Sequence, residues 1–108
     1  MDIADARTAF ALIEKTRLGE LKAALLQAAI RYAARRSEYA LADAAAKAGL
    51  EDARTRAHNA FIDACNILSR SMAAAGEDIS WRQALGDNRR EIGDLAYHLQ
   101  LFLAMKAR

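Results

Sequence analysis

"TRLGELKAALLQAAIRYAARRSEYALADAAAKAGL" runs from Thr16 to Leu50, and the number of helices inside it decides how the chain can fold. Leu18, Leu21, Leu25, Ala28 and Tyr32 recur at three- and four-residue steps, the spacing of one helix face. The pattern weakens at Arg35 and Arg36 and returns with Tyr39 and Ala42. Gly19 interrupts the front of the stretch, but an interior glycine costs only about 1 kcal/mol relative to alanine and does not by itself end a helix. Gly49, after an alanine run, occupies the place of a C-terminal stop. Upstream, Ile3, Ala6, Phe10 and Ile13 form a helical face of their own, and Asp2 and Asp5 suit the positive end of its dipole. Residues 3–48 are therefore either one helix or two, with a joint near Gly19 or Arg36–Ser37. A single helix would run roughly 70 Å and would need a second chain to bury its far end.

The remaining elements are more sharply marked. His58, Phe61, Cys65, Leu68, Met72 and Ala75, with Ile62 alongside, predict a helix from about Asp52 to Ala75, and Gly76 follows as its terminating glycine. Ile92, Leu95, Leu99 and Phe102, widened by Ala96 and Leu103, predict a last helix from about Asn88 to near the C-terminus. Asp87 is its expected N-cap, and Lys106 and Arg108 complement its negative end. Between these helices Ser80 is expected to cap a short turn, "WRQAL", which Gly86 stops and whose Trp81 folds over the end of the bundle. Composition agrees with helix throughout: there are 27 alanines, no valine and no proline. The expectation is one all-α domain over residues 1–108, a bundle of three long helical segments, the first either whole or split, plus a short helix near 80–85.

Net charge is +2, with eight basic and six acidic residues up to position 50 and eight of each beyond it, so no basic tail points to nucleic acid. A lone Cys65 excludes an intrachain disulfide and fits a reducing, cytoplasmic setting. The N-terminus lacks a signal-peptide pattern, and the longest uncharged run, Leu95–Met105, is too short to span a bilayer.

Several groups of residues carry possible chemistry. Trp81 to Leu95 resembles a helix-turn-helix, with Gly86 at the turn and Arg89 and Arg90 at the start of a recognition helix. The string departs from that motif at Arg82, where a small residue is usual, and at Asp87, where an apolar one is; Glu91 and Asp94 add negative charge to the same face. Cys65 would lie level with about His98 if the last two long helices ran antiparallel, a possible nucleophile pair. Yet Cys65 sits within an apolar stripe, where thiols are inert small hydrophobes. Two histidines and one cysteine, without a Glu-x-x-His pair, imply neither a metal nor any other cofactor.

Arg54, His58, Asp63, Asn66 and Arg70 interleave with the apolar stripe of the middle helix. With Trp81 and Arg82 from the connector they are candidates for a structural polar network. Tyr32, Arg35, Arg36 and Tyr39 mix tyrosine with arginine in the manner of protein interfaces. Finally, "RTRAHNAFIDACNILSR" with "GEDISWRQALGDNRREIGD" resembles a family of small all-helical bacterial proteins of unknown function, over residues 54–108. That resemblance implies a helical fold and no catalytic residues. The expected role is a non-catalytic interaction or structural protein that self-associates, as a dimer, through alanine-rich helix faces. A further protein partner fits the same reading; membrane contact does not. DNA binding through residues 81–95 stands as the alternative.

Overall fold

Asp43 divides the alanine-rich first half of the chain. Its side chain accepts a hydrogen bond from the Ala46 amide at 2.8 Å and so caps a new helix. Ala42 before it is extended (φ −79°, ψ 151°), which reverses the chain in two residues. The computed structural model, which describes residues 1–107, accordingly has five helices: α1 (Ile3–Glu14), α2 (Gly19–Leu41), α3 (Ala44–Ala74), α4 (Ser80–Leu85) and α5 (Arg89–Lys106). The all-α expectation holds, and the first segment is broken twice. One break lies just before Gly19; the other is at Ala42–Asp43 and not at Arg36–Ser37, which stays helical. Gly49 stops nothing: it sits exposed inside α3, which starts eight residues before the expected Asp52.

The other ends follow from local chemistry. Asp2 caps α1 through the Asp5 amide at 2.8 Å. α3 ends at Gly76, whose positive φ of 76° lets the Glu77 amide reach back to the Met72 carbonyl at 2.9 Å and the Gly76 amide to Ala73 at 3.0 Å. Asn88, not Asp87, caps α5, accepting from the Arg90 and Glu91 amides. Ser80 caps nothing; its own amide donates to Asp78 at 2.8 Å. That bond holds the exposed Asp78 carboxyl below its usual range.

Residue pairs across the helices fix their directions. Tyr32 of α2 meets His58 of α3, and Tyr39, later on α2, meets Arg54, earlier on α3, so these two helices run antiparallel. Arg36 meets Asp94, while Lys22 of α2 and Lys106 of α5 both reach Glu14, so α5 also runs antiparallel to α2. The Met1 amine reaches Asp94 at 3.2 Å, Phe10 meets Phe102 and Glu14 meets Lys106, so α1 runs parallel to α5. α2 is the middle element, packed on α3 along one side and on α5 along the other. The core lies around it and contains Ile13, Leu25, Tyr32, Phe61, Leu68, Met72, Trp81 and Leu99.

Glu14 ties three helices at one end, taking Lys106 at 2.7 Å and Lys22 at 3.5 Å. Its carboxyl is held below the usual range, chiefly by the Lys106 hydrogen bond. α4 then leads back along α1, inserting Trp81 and Leu85 into the core. With about 46 Å of helix, α3 sets the long dimension of the molecule, 47 Å.

Candidate functional site

No residue from Ala34 to Ala57 is buried. The last turns of α2 and the first four of α3 thus form a two-helix arm beyond the core, with Leu41 almost fully exposed at its tip. Two concave features flank this hairpin. One is a groove of about 360 Å³ between α2 and α3, lined by Leu21, Ala24, Ala28, Ala60, Asp63, Ala64 and Ile67. The other is a cavity of about 330 Å³ at the root of the arm, where Arg36, Ser37 and Tyr39 of α2 face Arg54 of α3 and Tyr97 of α5.

The four interface candidates separate. Tyr32 is a core residue, 2% exposed, with His58 edge-on at 5.2 Å and Phe61 at 6.2 Å; buried within its own chain, it offers no surface to a partner. Arg36 and Tyr39 line the cavity. Arg35 is exposed and bridged to Glu38 at 2.7 Å, a surface pair worth well under about 1 kcal/mol.

The polar residues of the middle helix do not form one ladder either. Asn66 and Arg82 are brought together: Arg82 Nε donates to Asn66 Oδ1 at 2.9 Å, and its Nη1 to the Gly86 carbonyl at 2.8 Å. Asp87 adds a longer contact at 3.4 Å from a fully exposed position. Gly86, at φ 62° and ψ −151°, adopts a backbone that essentially only glycine tolerates, and Arg82 holds its carbonyl there. Arg70 reaches only the Asn66 carbonyl, and Asp63 is exposed in the alanine groove, outside the cluster. Arg54 and His58 belong to the arm root instead. The Arg54 guanidinium lies 4.2 Å over the Tyr39 ring, and His58 Nδ1 sits 3.2 Å from Asn59 Oδ1. Trp81 Nε1 is buried without a hydrogen-bond partner, so the ring acts through its apolar bulk.

The expected Cys65–His98 level is corrected by the helix directions. Because α3 and α5 both oppose α2, they run parallel to each other, and the contacts of α2 with each place Cys65 and His98 at different levels of the bundle. His98 stacks on Phe102 at 6.0 Å with its Nδ1 covered and unpartnered. Burial pushes the Cys65 thiol up to about 12, against a smaller opposing pull from Arg82. At pH 8 the native thiol should therefore alkylate on the order of a thousandfold slower than that of the urea-unfolded chain. Equal rates would show that the core opens freely around it.

A helix-turn-helix needs its two helices braced on each other, whereas α4 packs on α1 and α3 and hardly touches α5. Arg89 and Arg90 are exposed at the start of α5. Among the described residues no three histidine, cysteine or acidic side chains come together as a metal would require, and no helix is long and apolar enough to cross a membrane.

Ser37, Tyr97, Ala24, Ala60, Ala64 and Ile67 carry no mark in the sequence, whereas Leu21 and Ala28 stand in it as part of a helix face and not as a groove wall. Asp43, a capping residue ahead of strong helix formers, is the signal that reveals the hairpin and hence the pairing of Tyr39 with Arg54. The chain matches no protein-family model, and neither the curated proteins nor the solved structures include one that matches it.

Proposed function

We propose that this chain is a non-catalytic helical interaction protein that pairs with a second copy of itself across the open face of the α2–α3 hairpin. The observation that carries the reading is the groove of Leu21, Ala24, Ala28, Ala60, Ala64 and Ile67, apolar and open along two adjacent helices. Alanine side chains let a second pair of helices approach closely, the advantage of small residues in helix packing. The face of α2 alone is about 35 Å long and, with its neighbour, about 20 Å wide. That amounts to on the order of 700 Å² per chain, near the size of stable protein interfaces.

Charge favours a copy of this chain as the occupant. Asp63 lines the groove without an ion-pair partner among the described residues, and Arg31 and Arg56, exposed on the same hairpin outside the groove, have none there either. A two-fold arrangement repeats each contact and offers Asp63 of either chain a cation from the other. Arg31 and Arg35 continue the α2 stripe of Leu21, Ala24 and Ala28 at helical spacing. Of the four tyrosine and arginine candidates, Arg35 is thus the one on this face.

Light scattering is expected to give twice the 11.8 kDa chain mass. Ala24→Glu combined with Ala64→Glu, both on the groove, should return the protein to one chain mass with its circular dichroism unchanged. A wild-type chain that remains single at roughly millimolar concentration would remove this reading, since an interface of that size holds far below it.

A further inference from the structure

Arg36 and Arg54 come from opposite helices of the arm, yet both line the cavity beside Tyr97. Ser37 and Tyr39 complete its polar wall, and no carboxylate is part of it. Every polar side chain there can donate a hydrogen bond, and the two guanidiniums can only donate. Their carboxylate neighbours are loose. Arg36 Nη1 lies 3.9 Å from Asp94, and Arg54 Nη2 lies 3.8 Å from Glu51, both beyond hydrogen-bond reach.

Arg54 Nε is covered and has no acceptor; the Tyr39 ring 4.2 Å below its guanidinium is a weak substitute. Arg36 is held flat against α5 because residue 93 is glycine. A Cβ there would stand 2.5 Å from the Arg36 Cζ. The wall therefore presents two positioned cations with spare donors, on a surface whose apolar part is aromatic ring and alanine methyl.

We propose that this cavity binds a small oxyanion carried on a flat apolar body. Its phosphate or carboxylate head would be held by the Arg36 and Arg54 guanidiniums, the strong form of charge-assisted hydrogen bonding. Its body would lie against Tyr97 and the Ala33 and Ala40 methyl groups. The volume, about 330 Å³, is at the small end of ligand sites and suits a single aromatic ring with its head group. This site is separate from the self-association groove and does not depend on it.

The test is a nuclear magnetic resonance titration of the intact chain with phenyl phosphate, with benzoate and with benzyl alcohol, following the Ser37 and Tyr97 amides. Saturable shifts with phenyl phosphate or benzoate are expected, and the tighter of the two identifies the head group. Arg36→Met and Arg54→Met should each weaken binding by about tenfold or more. Arg89→Met, at the exposed start of α5, should leave binding unchanged. Gly93→Ala keeps every charge but places a methyl group where the Arg36 guanidinium lies, so it should weaken binding while the rest of the amide spectrum stays native. Linear shifts with both anions, equal binding of benzyl alcohol, or an equal loss in Arg89→Met would each overturn the proposal.

Discussion

Trp81→Ala is expected to lower folding stability by about 3–5 kcal/mol, read as a fall in the urea midpoint by circular dichroism. The ring is only 3% exposed and belongs to the main core cluster, although it stands on a helix of six residues. A helix that short does not hold by its own hydrogen bonds, so tertiary burial must hold it. Removing the ring leaves a cavity lined from α1 and α3 and frees the connector between Gly76 and Gly86 at the same time. Because Trp81 Nε1 has no hydrogen-bond partner, Trp81→Phe should recover most of the loss. A loss below about 1 kcal/mol for the alanine variant would mean that α4 docks by other means, chiefly through Arg82.

Leu25→Ala should cost about 2–5 kcal/mol, whereas Leu41→Ala on the same helix should change stability by less than about 0.5 kcal/mol. The two leucines differ only in where α2 has neighbours. Leu25 is fully buried where α2 passes between α3 and α5, while Leu41, 89% exposed, lies at the tip of the arm with neither a core nor α5 beside it. Thermal or urea melts of the two variants measure the contrast directly. Similar losses would show that the arm is covered in solution by something that buries Leu41. Amide exchange should follow the same gradient, slow around Leu25 and fast in residues 34–57, because local opening tracks buried contact.

The sequence by itself determined the class of fold and most of the helix faces. The three-four spacing of Phe61, Cys65, Leu68 and Met72, and of Ile92, Leu95, Leu99 and Phe102, marks residues that are buried in the structure. It also marked Gly76, since only a residue free to take positive φ ends a helix in that way. The alanine run hid the place of the second break, because alanine is helical in any setting and carries no direction, and Asp43 was its one mark. At Asp43 a single side-chain hydrogen bond outweighs the run.

Tertiary structure alone decided what the polar side chains do. Tyr32 looks like an interface residue in a local window and is core, because α3 turns back over it. Cys65 and His98 looked level and are not, because the chain returns along α1 before starting α5 and so makes α3 and α5 parallel. Arg36 and Arg54 are eighteen positions apart in sequence and share one cavity. Helical periodicity is a property of neighbours within a few residues. The direction in which helices run past one another is set by turns and by the packing of the whole, and that direction chooses which charges and rings meet.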